Sequence, residues 1–203
     1  MSQVGHIEKK TGNRYLNFYE LEAIHRDGHS TPYYMASRTG DPRQLKAVTH
    51  QNRPDGVQMY GVYGENRDQL VLVRQFRFPI GDYIYEFPAG LVEPGEEPVS
   101  AAIREMYEET GLAFYPKDAG PCSKPMFPTV GMTDESCCMI FGYCEGIPTS
   151  CHQEASEDIQ VVLADREECR RILREENVAI MCSYMMMHFI AGDGDPLSFL
   201  DNI

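Results

Sequence analysis

The sequence predicts an α/β domain preceded by a β-rich extension, and three observations carry that prediction. Runs with strand composition come first, a strand–loop–helix unit follows near residues 83–110, and the last third mixes strands with two helical segments. The length of 203 residues suffices for one well-buried core plus an extension and falls short of two ordinary domains. A polar stretch over residues 39–55, with two prolines, separates the extension at 1–55 from a main domain at 56–203.

In chain order, residues 15–21 alternate apolar and polar, Asp27-Gly28 supplies a turn, and a second strand lies around 32–36, so a β-hairpin is expected here. After the linker, 57–63 and 69–78 read as strands separated by turn residues at 64–68, and 83–87 reads as another just before Pro88-Ala89-Gly90. Pro98 suits a first helical turn and Gly111 the left-handed position past a helix end, which predicts one helix over 98–110. Farther on, 137–144 and 158–163 read as strands, while 166–175 and 178–191 have helical composition. Met181, Met185, Met186 and Met187 are expected to pack. Neither an internal repeat nor a low-complexity tract is visible.

On the 98–110 helix, Val99, Ile103 and Met106, with Ala102 beside them, fall on one side that is expected to pack. Glu105, Glu108 and Glu109 are expected to be presented on the opposite third of the circumference. Carboxylates at i, i+3 and i+4 repel one another unless a cation lies between them, and a solvated helix normally sets Lys or Arg four residues from Glu. Here Glu105 faces Glu109, and Arg104 is the only nearby cation. Hard oxygen ligands favour Mg²⁺ or Mn²⁺.

Composition narrows the partners. A formal charge of −13 and a pI near 4.8 argue against DNA, long RNA and anionic membranes, whose binding requires basic surface, but are compatible with a small diphosphate carried by metal. Residues 1–15 lack the apolar core of a signal peptide and no apolar run approaches membrane-spanning length, so a cytoplasmic protein is expected. The seven cysteines are odd in number and form no Cys-x-x-Cys pair, so free thiols are expected. The six histidines are scattered and none is assigned chemistry; His188 is expected in the core or at an interface.

Residues 90–112, GLVEPGEEPVSAAIREMYEETGL, are similar to the Nudix box at every fixed position. The resemblance implies a Nudix fold, an α/β/α sandwich with a mixed sheet, and hydrolysis of the diphosphate linkage of a nucleoside diphosphate joined to another group. It makes Glu105 and Glu109 the main ligands of the divalent cation, Glu108 an accessory ligand, and the Ala89 carbonyl part of the metal shell. Arg104 and Glu96 orient loop and helix, with Gly90 and Gly111 as structural positions of the motif. Upstream, Glu86-Phe87-Pro88-Ala89-Gly90-Leu91 and the strand with Gln75 and Arg77 look like ADP-ribose and ADP-sugar pyrophosphatases. Pro128, 16 residues after Leu112, stands where that subfamily carries a proline, although the usual Ser-Pro-Gly segment at that proline is absent and the residues run Pro128-Thr129-Val130-Gly131 instead.

From the same resemblance, Arg77 and Gln75 are candidates for diphosphate contact, Tyr15 for stacking on adenine, and Arg38 for a contact across a homodimer formed through the extension. The acidic segment at 152–159 resembles the loop that supplies a catalytic glutamate, with Glu157 the first choice and Glu154 the second. The implied reaction is ADP-ribose plus water giving AMP and ribose 5-phosphate. Alternatives are another nucleoside diphosphate sugar or a dinucleotide, a non-catalytic nucleotide sensor, and an isopentenyl diphosphate isomerase. The intact set of carboxylates speaks against the sensor, and the Pro-Ala-Gly flank against the isomerase.

Overall fold

The structure is a computed structural model that describes residues 1–153 and 158–202. It contains two compact units, Met1–Asp55 with Pro125–Cys137, and Gly56–Lys124 with Cys138–Ile203.

The first unit is built on an antiparallel sheet of β1 (Gln3–Lys9), β2 (Asn17–Ile24) and β3 (Ser30–Ser37), in that spatial order. The β2–β3 pair is the expected hairpin, turned at Gly28 with φ +91°. Strand β1 was not expected, because it carries little apolar signal: its Ile7 packs against Tyr19, Leu21, Met35 and Leu45, and the rest is largely exposed. The stretch read as a linker is partly structured, with a 3₁₀ turn at Pro42–Gln44 capped by Asp41 and a short helix α1 (Lys46–Thr49). Leu45, fully buried, explains why: it plugs the small core under the sheet.

Residues 125–137 join this unit through polar contacts that no local pattern announces. The Ser136 N–H donates to Asp55 Oδ2 at 2.9 Å, and Lys46 Nζ donates to Ser136 Oγ at 2.6 Å. The Ala36 N–H donates to the Met132 carbonyl at 2.9 Å.

The second unit contains β4 (Gly56–Tyr63), β5 (Gln69–Arg77), β6 (Asp82–Glu86), β7 (Ala89–Leu91), α2 (Pro98–Thr110), β8 (Ala113–Pro116), β9 (Cys137–Glu145), β10 (Ile159–Ala164), α3 (Arg166–Glu175) and α4 (Ile180–Ala191). Its mixed seven-stranded sheet has the order β10-β5-β4-β9-β8, with β6 on β5 and β7 on β4. Period-two alternation distributes the strands between two cores. Val57, Met59, Val71, Cys138, Ile140 and Cys144 pack with Ala101, Ala102 and Met106 of α2. Tyr60, Val62, Leu70, Leu72, Met139 and Phe141 pack with Cys169 and Ile172 of α3 and Cys182, Met186 and Phe189 of α4. This is the expected α/β/α sandwich. Strands β7 and β8, of three and four residues, are too short to leave a periodic signal.

Helix α2 has the expected limits and only part of the expected packing face: Met106 and Ala102 are buried as expected, Val99 and Ile103 are not. Its buried residues are Ala101, Ala102, Met106, Glu109 and Thr110, whereas Val99 and Ile103 are 46% and 43% exposed. Small residues let the helix lie close to the sheet, and the side turned inward is the one that carries Glu109. Gly61 of β4 permits the approach, since a Cβ there would lie 2.6 Å from Cys144 Sγ and 3.0 Å from Met106 Cε. On α4, Met186 is buried and Met181 and Met185 pack against the core, but Met187 is 46% exposed because this helix is apolar around most of its circumference. His188 is exposed and meets Phe199 edge-on, with ring centroids 4.7 Å apart. Among the described residues no helix is long and apolar enough to cross a membrane.

Candidate active site

Strand β7 brings the Pro-Ala-Gly segment under α2. It pairs with β4 through Val57↔Gly90 and Gln58↔Ala89, which leaves its backbone beside the inward side of the helix. There the Ala89 N–H donates to Glu109 Oε2 at 3.1 Å, and Glu109 is only 4% exposed. Glu105 lies directly over Gly90: a Cβ at Gly90 would fall 1.8 Å from Glu105 Cδ. The two main carboxylates therefore sit between helix and sheet rather than on a solvated face, while Glu108 is exposed.

Arg104 organises the entrance. Its Nε and Nη2 donate to Glu96 at 3.1 and 2.9 Å, its Nη2 also to the Leu91 carbonyl at 3.1 Å, and its Nη1 to Glu105 at 2.8 Å and Glu108 at 3.0 Å. One guanidinium thus ties the 91–97 loop to the helix, a role for which its planar fork of donors is suited. The Glu96 pKa is held below the usual carboxylate range, first by the Arg104 hydrogen bond and then by the Glu93 N–H, which donates at 3.0 Å. The hydrogen bond to Glu96 raises the Arg104 pKa, and with Glu105 and Glu108 it outweighs the opposing effect of burial. The Arg104–Glu108 pair at i, i+4 also corrects the expectation that the helix lacks such pairing.

Gln75 and Arg77 extend from the α2-facing side of β5, two and four residues beyond Val73. Arg77 donates to Glu86 Oε2 from Nε at 2.7 Å and from Nη2 at 2.6 Å. Gln75, Arg77, Ala89, Gly90, Arg104, Glu105, Glu108 and Glu109 line one cavity of about 590 Å³, together with the loop residues Leu91 to Pro94. That volume lies in the range of nucleotide-sized ligand sites.

His152, which the sequence left without a role, lines the same cavity. Its ring stacks on Tyr107 of α2 with centroids 4.5 Å apart. Next to it, Gln153 Nε2 donates to the Glu109 carbonyl at 2.6 Å, and the Thr149 N–H donates to the Thr110 carbonyl at 2.8 Å. A lone His in a polar loop carries no spacing signal; the one available hint was that His152 opens the acidic segment at 152–159. Of the other predicted residues, Tyr15, Arg38 and Pro128 belong to the first unit. Tyr15 is 66% exposed, with the Arg14 guanidinium 4.9 Å from its ring centroid; Arg38 pairs with Glu135; Pro128 is half-buried. Glu154 and Glu157 lie outside the described residues.

The donor set fits a hard divalent cation. Glu105, Glu108, Glu109 and the Ala89 backbone offer oxygen ligands, and the missing side chain at Gly90 leaves the space in which the Glu105 carboxylate lies. Among the described residues no three acidic, His or Cys side chains converge at ligating spacing, since Glu105 and Glu108 both turn to Arg104.

The chain is similar to known proteins over the same region. It is 45% identical over 65 residues to an ADP-sugar pyrophosphatase of Mus musculus, covering 32% of this chain and 28% of that protein. With the putative nudix hydrolase 2 of Caenorhabditis elegans it shares 32% identity over 151 residues, 71% of this chain and 64% of the other. An ADP-ribose pyrophosphatase of Bacillus subtilis (strain 168) is 45% identical over 72 residues, 36% of each chain. The matches thus span less than two thirds of each of these relatives. The crystal structure of an ADP compounds hydrolase superposes with a TM-score of 0.60 at 18% identity, covering 86% of this chain and 83% of that one, and shares its fold. A model of the NUDIX domain matches residues 52–176, which takes in the sheet, α2 and the cavity between them. With more than half of its length inside that match, the chain belongs to the Nudix family.

Proposed function

We propose that the chain hydrolyses the diphosphate linkage of a nucleoside diphosphate joined to a second group, with ADP-ribose as substrate and AMP and ribose 5-phosphate as products. Glu109 is the observation that carries this reading: a nearly buried helix carboxylate held by the Ala89 N–H, beside Glu105 over Gly90, in a cavity that also holds Arg77 and Gln75. Carboxylates of one helix gathered at a cavity are suited to a divalent cation, which oxygen ligands of this kind favour. Glu105, Glu109, Glu108 and the Ala89 carbonyl would hold Mg²⁺, with Mn²⁺ as the alternative, and the bound ion supplies neutralisation of the diphosphate and a lowered pKa for water.

The chain's own groups do the rest. The Arg77 guanidinium suits bidentate binding of a phosphate and exchanges its Glu86 contact for it, while Gln75 donates beside it. Arg104, anchored on Glu96, keeps loop and helix in register. Glu157, or Glu154 in its place, takes the proton from the attacking water. Water adds at phosphorus, the anhydride P–O bond breaks, and both halves leave as phosphate monoesters. The name of the mouse relative supports an ADP-sugar as the substrate, and that of the Bacillus relative supports ADP-ribose. In the same reading the protein acts in the cytoplasm as a homodimer formed through residues 1–55, with Tyr15, Arg38 and Pro128 contributing to substrate binding.

Metal-dependent hydrolysis across a panel of nucleoside diphosphate sugars, with product identification, tests the proposal. ADP-ribose is expected to be preferred and to release AMP; strong preference for a UDP- or GDP-sugar would reassign the substrate. Glu109→Gln is expected to lower turnover by at least ~100-fold. Its circular dichroism should stay unchanged, because the Gln carbonyl still accepts from the Ala89 N–H. Turnover close to wild type would sink the metal assignment.

A further inference from the structure

We propose that His152 is a substrate-binding residue of this cavity, whose imidazole donates to a phosphate oxygen of the diphosphate. The proposal rests on reading the cavity as a diphosphate site. Three observations lead to it.

Charge comes first. Glu93, Glu105, Glu108 and Glu109 line the cavity against Arg77 and Arg104, and both arginines already serve carboxylates: Arg77 serves Glu86, and Arg104 serves Glu96, Glu105 and Glu108. Among the described residues His152 is the remaining basic side chain of the lining, and it forms no ion pair with a described carboxylate. Arg77 reaches a phosphate only by giving up Glu86, and Arg104 stays on its three carboxylates, so a dianionic diphosphate entering so acidic a space gains from a further donor that no glutamate holds.

Placement comes second. The ring is exposed to the solvent of the cavity mouth, but the segment that carries it, residues 149–153, is fastened to the C-terminal end of α2. The Thr149 N–H donates to the Thr110 carbonyl at 2.8 Å and Gln153 Nε2 to the Glu109 carbonyl at 2.6 Å. The Cys151 N–H donates to Thr149 Oγ1 at 3.2 Å. His152 is thereby attached to the backbone of the residue whose carboxylate defines the site.

Orientation comes third. Stacking on Tyr107, at 4.5 Å between centroids and 28° between planes, occupies one face of the imidazole and leaves its edge nitrogens as the groups available to a ligand. Tyr107 precedes Glu108 on the helix, so the stack sets the ring beside the carboxylate side of α2. A pre-oriented donor contributes affinity because little side-chain freedom is lost when the ligand arrives.

Two measurements test the assignment. In steady-state kinetics on ADP-ribose with Mg²⁺, His152→Ala is expected to raise KM ~10-fold while kcat changes less than ~3-fold. His152→Gln, which keeps a neutral donor, should recover most of that loss, and Tyr107→Ala, which frees the ring, should fall between. In the second measurement, methylenediphosphonate is titrated into the protein and imidazole resonances are followed by NMR, with the His152 signal identified by its loss in His152→Ala. That signal is expected to move. Wild-type KM in His152→Ala, a loss that Gln does not rescue, or a His152 signal unmoved at saturation would overturn the proposal. If the wild type cleaves none of the nucleotide panel, the hydrolase reading falls, and the NMR titration still decides whether His152 meets a diphosphate.

Discussion

Gly90 owes its identity to Glu105 rather than to its own backbone. It lies in β7 without a positive φ, so any residue could adopt its conformation, but a Cβ there would sit 1.8 Å from Glu105 Cδ. The Pro-Ala-Gly segment is therefore complementary to the helix above it: Ala89 contributes an N–H to Glu109, and Gly90 contributes the absence of a side chain under Glu105. Gly90→Ala must displace either the carboxylate or the strand. We expect turnover to fall at least ~100-fold, the scale of a ~1 Å misplacement in an active site. The stability cost should be ~1–3 kcal/mol for the overpacking. Turnover assays and thermal unfolding of the same variant check both, and wild-type turnover would show that Glu105 need not lie where it does.

Helix α2 shows which parts of an element are legible locally. Its ends were readable because Pro98 and Gly111 act on the chain itself: proline pre-sets a helical φ, and Gly111 takes φ +73° as the cap whose N–H donates to the Tyr107 carbonyl. Its orientation was only partly readable: Ala102 and Met106 pack as expected. Hydrophobicity alone would bury Val99 and Ile103, yet the helix turns Ala101, Ala102 and Met106 inward with Glu109 among them. Tertiary packing rewards small residues that allow close approach, and the site needs the glutamates facing β7. Gly111 also has a second duty, since a Cβ would lie 2.3 Å from Thr149 Cγ2, in the segment that carries His152. Gly111→Ala is expected to cost ~1–2 kcal/mol for the left-handed backbone alone, and more once Thr149 is displaced. Chemical denaturation measures it; an undiminished midpoint would mean that the cap relaxes freely.

At the scale of the whole molecule, the second unit is closed by its C-terminal segment, and Asp195 is the clasp. Asp195 accepts from Tyr143 Oη at 2.8 Å, from the Leu197 N–H at 2.9 Å and from the Arg67 guanidinium. Burial pushes its pKa up, but the hydrogen bonds from Leu197, Tyr143 and Arg67 outweigh burial and hold it below the ordinary value. A folded-state pKa below that of the unfolded chain stabilises the fold above the unfolded value, ~3.9, and the stabilisation is lost as pH falls through the folded value. Asp195→Asn should therefore cost ~2 kcal/mol at neutral pH, the scale of hydrogen bonds to a charged acceptor, and nothing once the wild-type carboxyl is protonated. Urea titrations of both proteins between pH 7 and pH ~2.5 test this, and a pH-independent difference would refute it. The division into two units is also a matter of this scale. A polar stretch marks the first boundary near Asp55, whereas Pro125–Cys137 joins the first unit through Asp55, Lys46 and Ala36, partners about 80 to 100 positions away in the chain.

The sequence by itself determined the α/β class, the ends of the long elements, the carboxylates of α2 and the family they belong to, because these depend on periodicity, caps and spacing within one short stretch. Only the tertiary structure decided which side of α2 is buried, that Ala89 and Gly90 lie under Glu109 and Glu105, that Arg77 and Gln75 share their cavity, and that His152 stands at it. Each of those outcomes depends on a pairing or packing between segments distant in the chain, and local propensity carries no information about partners it does not touch.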